Sequence, residues 1–201
     1  MTEKSKRLKA LFQAPEILIL PGIFDGYSVR LMEQMGFAAA SVSGAGVSES
    51  HLGWADKGVM SFKDNLEACR ALAACSDLPL MADGDTGYGN AVSVYFTVQA
   101  FEDAGHPGLM IEDQVWPKRC GHMAGKAVIP AAKMVQKVKA AVKGMMNAMA
   151  AFIDMLAGDA PIDRPDLLVS FDELNAFTSF DELNRMDEKY SVAETVGHAA
   201  E

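Results

Sequence analysis

Leu78-Pro79-Leu80-Met81-Ala82-Asp83-Gly84-Asp85-Thr86-Gly87-Tyr88-Gly89-Asn90 is the stretch that decides how this chain folds, and Gly108-Leu109-Met110-Ile111-Glu112-Asp113-Gln114 answers it. Each is a short apolar run that ends abruptly in carboxylates. Leu80-Met81-Ala82-Asp83 aligns with Leu109-Met110-Ile111-Glu112 at an offset of 29 positions (112 − 83). An apolar run of this length, bounded by turn signals, reads as a strand covered on both faces, the habit of parallel sheets. Helical spacing from Ala91 to Ala104 lies between them, so the unit reads strand–helix–strand. Ligands of such units gather beyond the carboxyl ends of the strands. Asp83, Asp85 and Glu112 are therefore expected to converge. Carboxylates at close quarters repel unless a cation joins them, and hard oxygen donors suit Mg²⁺.

With 201 residues, half of them apolar, the chain can bury a good core as a single domain. A net charge of −9 argues against nucleic acid, which needs clustered Lys and Arg. No apolar run approaches the roughly 18 residues of a membrane span. The basic start, Met1 to Lys9, leads into no signal-peptide apolar core. Three cysteines, an odd number, suit free thiols in a reducing cytoplasm. The expectation is a cytoplasmic protein that handles a small molecule, with neither nucleic acid nor membrane as partner.

Taken in order, residues 3–13 have the spacing of an amphipathic helix. Ile17 to Leu20 is an apolar β run stopped by Pro21-Gly22. Tyr27 to Met35 has helical spacing, with Tyr27, Leu31 and Met35 on one side and Gly36 placed as a C-cap. Ala38 to Ser43 is the second strand, ending in the small-residue turn Ser43-Gly44-Ala45-Gly46. A long connection, Val47 to Met60, carries Trp54 and Asp56 and is a candidate active-site loop. Ser61 has N-cap chemistry for a helix to about Ala74. After the two acid-ended strands comes the loop Pro117 to Lys126, and Pro130 opens a helix over Ala131 to Val142. The order βαβαβαβα, four strands, predicts a parallel sheet with right-handed crossovers. Residues 1–142 form this α/β unit.

From Lys143 the grammar changes. Gly144 to Leu156, rich in Met and Ala, reads as continued helix. Ser170-Phe171-Asp172-Glu173 and Ser179-Phe180-Asp181-Glu182 each carry the capping-box pattern, so two short helices are expected. Residues 143–201 are thus a helical C-terminal segment, with Leu167 to Val169 the weak candidate for a further strand.

Two readings compete at each candidate site. Asp85-Thr86-Gly87 is ordinary turn chemistry, and a lone acid at a strand end is often only solvated. Repetition at the ends of adjacent strands favours a site. Lys118-Arg119-Cys120-Gly121-His122 is the sharpest local signal. A thiol flanked by two cations and a histidine favours its thiolate, useful as acid or base, against the plain alternative of a free surface thiol. Ser43-Gly44-Ala45-Gly46 could present backbone N–H groups to a carboxylate or phosphate, though it lacks the Gly-Lys-Ser/Thr of a P-loop. Cys69, Cys75 and the scattered histidines 51, 106 and 198 read as structural or solvated.

Taken together, Pro21-Gly22-Ile23-Phe24-Asp25, Ser43-Gly44-Ala45-Gly46, Ala82 to Asn90, Ile111 to Gln114 and Pro117 to His122 resemble the isocitrate lyase/phosphoenolpyruvate mutase family. The similarity is strongest to its methylisocitrate-lyase-like and carboxyphosphonoenolpyruvate-mutase-like branch. The match runs in order from about residue 15 to 142 and resumes in the tail. The resemblance implies a (β/α)₈ barrel, 2-oxo acid or enolate chemistry, and Mg²⁺ (or Mn²⁺) held by Asp83, Asp85 and Glu112, partly through waters. It implies that Ser43, Gly44 and Ala45 hold a substrate carboxylate, with Asp56 and Gly121 lining the pocket. Cys120 would be the acid–base residue of the lyases, aided by Lys118 and His122. It also implies an oligomer that exchanges its late helix between subunits.

Departures from the family pattern matter as much. Compared with the family pattern, the units of the fifth to eighth strands are expected to be absent between Val142 and Lys143, which predicts a partial barrel of about four parallel strands. Phe24 stands where many relatives place a tyrosine. The expected activity is C–C cleavage of a 2-hydroxy di- or tricarboxylate, impaired by the missing half. The alternatives are a mutase-type phosphoryl transfer, which has no need of the thiol, and a non-catalytic shortened homologue.

Overall fold

The computed structural model describes residues 2–145 and 151–154. Its centre is one parallel sheet of five strands in sequential order: β1 (Gly22–Ile23), β2 (Ala40–Val42), β3 (Leu80–Asp83), β4 (Gly108–Glu112) and β5 (Ala151–Asp154). Helices α1 (Glu3–Gln13), α2 (Gly26–Gln34), α3 (Gly44–Val47), α4 (Phe62–Ala74), α5 (Ala91–Asp103) and α6 (Ala131–Gly144) precede or connect them. Sequential parallel neighbours with helical crossovers are the arrangement expected from the alternating pattern.

Helix starts follow their caps. Thr2, Asp25, Ser61 and Asn90 each accept a hydrogen bond from a first-turn N–H, and Asp25 and Ser61 complete reciprocal capping boxes. Gly36, at φ 83°, follows α2 as a left-handed residue. The core forms where strand residues Ile23, Val42, Leu80, Leu109 and Ile111 meet Val94, Val98 and Phe101 of α5 and Met134 of α6. His106 is buried beneath this layer, its Nδ1 3.2 Å from the Leu80 carbonyl oxygen and its Nε2 2.8 Å from that of Cys69. It ties β3 to α4, a structural role.

Two expectations are corrected, and for α2 the structure settles an orientation that the spacing left open. Ile17 to Leu20 is not a strand: Ile17 and Ile19 are exposed, and pairing begins at Pro21-Gly22, where the Pro21 carbonyl accepts from Ser41 N–H. Proline cannot donate to a ladder, so an edge position suits it. The α2 stripe faces outward, with Tyr27, Leu31 and Met35 exposed and Val29 buried instead. The helix read from Gly144 to Leu156 stops at Gly144, and Ala151–Asp154 pairs with β4, Glu112 in register with Asp154. A short apolar run closed by an acid is the same pattern as β3 and β4, masked here by the helix-favouring Met and Ala before it. The two capping-box helices and the rest of the tail lie outside the described residues. Among the described residues no helix is long and apolar enough to cross a membrane.

Candidate functional site

The strand ends place the acids. β3 finishes at Asp83, and Gly84 N–H donates to the Met110 carbonyl at 2.7 Å, carrying the pairing one step beyond the strand. The chain then turns, with Gly87 N–H on the Gly84 carbonyl at 2.9 Å, while Glu112 N–H donates to the Asp85 carbonyl at 2.8 Å. Asp85 and Tyr88 both adopt left-handed backbone, φ 49° and 59°. Non-glycine residues held there cluster at functional sites because the surroundings must enforce the conformation.

A cavity of about 190 Å³ opens at these ends, lined by Ser43, Ala45, Asp83, Glu112, Cys120 and His122, with Asp56, Lys118, Met110 and Gly121 completing it. Asp85 lies just behind, joined to the wall through Lys118. The resemblance thus named residues from five separate segments that meet in one place. Two carry-overs change in detail. Gly44 N–H is spent on Asp83 Oδ2 at 3.1 Å, so Ser43 and Ala45 face the cavity in its stead. Lys118 and Arg119 do not flank the thiol with charge. The Lys118 ammonium turns inward, and Arg119 donates to the Ala124 carbonyl at 3.1 Å. His122 is the group that faces Cys120, Nδ1 to Sγ 3.6 Å.

The electrostatics are those of crowded acids around one cation. Lys118 Nζ lies 2.5 Å from Asp56 Oδ1 and 2.9 Å from Asp85 Oδ1, all three side chains buried. Burial opposes its charge, but Asp85 and Asp56 outweigh that and hold the ammonium above the usual lysine range. Asp83 is pushed up by burial and by the Asp85 charge, against the Asp85 and Gly44 N–H groups that stabilise its ionised form. Burial raises Glu112 to about 7 despite the 2.9 Å hydrogen bond from Gln114 Nε2 to its Oε2. Such shifts concentrate where charge is being stored for use.

Among the described residues no three His, Cys, Asp or Glu side chains form a ready-made metal-binding group. Asp83 and Glu112 face the cavity, while Asp85 sits behind it on Lys118, so the three do not stand as three direct ligands. The donor set nevertheless fits a hard divalent cation with waters in its shell: every donor is carboxylate oxygen, and buried Glu112 Oε1 has no hydrogen-bond partner.

Three supporting residues escaped the sequence reading. Tyr88 OH donates to Asp85 Oδ2 at 2.9 Å, and buried Asn65 Nδ2 donates to Tyr88 OH at 2.8 Å and to the Asp83 carbonyl at 2.7 Å. Gln114 accepts from Arg119 N–H at 3.0 Å and donates to the Arg119 carbonyl at 2.8 Å, fastening the cysteine loop beside Glu112. The i, i+2 spacing of Glu112 and Gln114 was a signal for the last, since alternate strand residues share a face. Trp54, expected at the site, is exposed and does not line the cavity.

Residues 8–155 match the family model described as phosphoenolpyruvate phosphomutase. Over 141 residues the chain is 37% identical to 2,3-dimethylmalate lyase of Eubacterium barkeri, covering 70% of this chain and 49% of that protein. It is 42% identical over 141 residues to probable 2-methylisocitrate lyase 2 of Corynebacterium glutamicum, covering 70% and 46%. The crystal structure of phosphoenolpyruvate phosphomutase from Streptomyces platensis subsp. rosaceus superposes with a TM-score of 0.72 at 27% identity, covering 94% of this chain and 61% of that one. The chain spans about half the length of the curated relatives it matches. Its five-stranded parallel sheet with outer helices is accordingly part of a (β/α)₈-type barrel, and the chain belongs to the phosphoenolpyruvate phosphomutase family, within the PEP mutase/isocitrate lyase superfamily.

Proposed function

We propose that this chain carries the metal and thiol half of a divalent-cation-dependent C–C lyase that cleaves a 2-hydroxy di- or tricarboxylate to a 2-oxo acid and a second carboxylic acid. The observation that carries this reading is the single cavity fronted at once by the half-buried carboxylates of Asp83 and Glu112, the Ser43–Ala45 turn and the Cys120–His122 pair. When bound, Mg²⁺ or Mn²⁺ would polarise the oxygens of the oxo-acid half and offset the charge of the developing enolate.

The chain's own residues supply the rest. Asp83 and Glu112 would hold the cation, through oxygen and its waters. Asp85 is held for the same purpose by Tyr88, and Asp56 holds Lys118 at the cavity wall. Ser43 and Ala45 face the position of a substrate carboxylate. A base, with solvent as final acceptor, takes the 2-hydroxyl proton as the C–C bond breaks; the departing carbanion then needs a proton, and Cys120 Sγ, open to the cavity, is the donor. His122 Nδ1, 3.6 Å away, can return that proton to the thiol between turnovers.

The test is steady-state release of 2-oxo acid in the presence of Mg²⁺ from 2-methylisocitrate, isocitrate and 2,3-dimethylmalate, with wild type and Cys120→Ser. Activity is expected to be weak, because the strands beyond β5 would contribute the remaining substrate contacts. Cys120→Ser should lower it by about 10²-fold or more, the usual weight of a positioned acid. A second reading, phosphoryl transfer of the mutase type, is favoured by the description of the matched family model. In that case Cys120→Ser leaves turnover of a phosphonate or phosphoenolpyruvate substrate intact. Absence of any turnover together with absence of cation and oxalate binding would leave a non-catalytic homologue.

A further inference from the structure

We propose that Lys118 is a built-in counter-ion that competes with a divalent cation for Asp85, so that cation entry and release of the cysteine-bearing loop are one event. This rests on the divalent-cation reading above and specifies how that site is regulated.

The carboxylate oxygens show the arrangement. Asp83 uses Oδ1 on Asp85 N–H and Oδ2 on Gly44 N–H. Asp85 uses Oδ2 on Tyr88 OH and Oδ1 on the Lys118 ammonium, which also reaches Asp56 Oδ1. Glu112 uses Oε2 on Gln114, and only its Oε1 is left without a partner. Asp56 and Asp85 therefore share one cation, which occupies Asp85 Oδ1 just behind the cavity wall formed by Asp83 and Glu112. An ammonium and a divalent ion cannot both sit on one carboxylate oxygen, since like charges in a partly desolvated site repel strongly. A divalent ion that takes Asp85 must expel Lys118.

Lys118 lies two residues before Cys120 on the same loop. The start of that loop has three fastenings: the Lys118 ion pairs, the Gln114 clamp on the Arg119 backbone, and Cys120 N–H on the Asp56 carbonyl at 3.1 Å. Loss of the Asp85 contact removes part of the first. The ammonium then keeps Asp56 as its one remaining carboxylate partner, and the thiol becomes more accessible.

The experiment is a calorimetric titration of the full chain with Mn²⁺ at low ionic strength, paired with the rate of iodoacetamide alkylation at Cys120 followed by peptide mass. Lys118→Met should bind Mn²⁺ at least about tenfold tighter than wild type. Lys57→Met, which removes an equal charge from an exposed position beside Asp56, should shift affinity by less than about twofold. Saturating Mn²⁺ should accelerate Cys120 alkylation several-fold in wild type and leave the Lys118→Met rate unchanged. Equal or weaker Mn²⁺ binding by Lys118→Met overturns the proposal, as does a wild-type alkylation rate indifferent to Mn²⁺. If Lys118→Met does not fold, Lys118→Gln replaces it, and the wild-type alkylation measurement stands on its own. Failure of both wild type and variant to bind Mn²⁺ would sink the divalent-cation reading, and this proposal with it.

Discussion

At the scale of single residues, the site depends on close approaches that only particular side chains permit. A Cβ on Gly44 would lie 2.6 Å from Asp83 Oδ2 and 2.9 Å from its carboxyl carbon. Gly44→Ala should therefore displace Asp83 and destabilise the protein by about 1–3 kcal/mol, the usual penalty of overpacking. Gly26, where an added Cβ meets nothing within 4 Å, is the control: Gly26→Ala should be neutral or slightly stabilising in the same urea denaturation series. Asn65→Ala strips partners from the Asp83 carbonyl and the Tyr88 hydroxyl, and a loss of about 1–3 kcal/mol is expected from buried groups left unmade. Asp83, Asp85, Glu112 and Cys120 were legible in the sequence because an acid-ended apolar run and a Lys-Arg-Cys-Gly-His string are local signals. Asn65 and Tyr88 were not, because each acts only through partners 18 to 23 positions away or through a left-handed turn that spacing does not announce. The charge argument for Cys120 misjudged Lys118 and Arg119 for a related reason: adjacency in sequence does not fix where long side chains point.

Elements were read well where their ends carry chemistry. Ser61 and Pro130 marked α4 and α6 to within a residue or two through signals whose physics is local, and the spacing from Ala91 marked α5. β1 and β5 were misjudged because their pairing is decided by neighbours, not by composition. His106 offers a test at this scale, since it joins β3 to α4 through two backbone carbonyls. Burial lowers its pKa, outweighing the carbonyls, which raise it. Below an unfolded value of about 6.5 the unfolded chain binds a proton that the folded chain does not, so this group's contribution is full above that pH and declines as pH falls. Urea midpoints of wild type and His106→Gln between pH 8 and pH 5 check it: the advantage of wild type should shrink towards acid. A constant or widening advantage would contradict the assignment.

At the scale of the whole molecule, the described part of the barrel ends in two terminal strands. Among the described residues β1 and β5 each have a neighbour on one side only, and the segments before and after β1 in sequence carry exposed Ile17, Ile19, Tyr27, Leu31 and Met35. Unpaired parallel edges flanked by apolar surface favour association. Light scattering should therefore show an oligomer at micromolar concentration, and Tyr27→Lys with Leu31→Lys should shift it towards monomer without lowering the urea midpoint. The parallel sheet was legible in the sequence from its four repeated units, and the partial barrel from the family resemblance; the fifth strand, Ala151–Asp154, was not, because its pairing with β4 is specified by no local pattern. The central claim is that acids from neighbouring strand ends receive one divalent cation beside the thiol. Calorimetric titration of the chain with Mg²⁺ in the presence of oxalate, an enolate mimic, tests this most directly. The account predicts saturable binding of one ion per chain, weakened at least about tenfold by Glu112→Gln; no saturable heat with wild type, or equal binding by the variant, would contradict it.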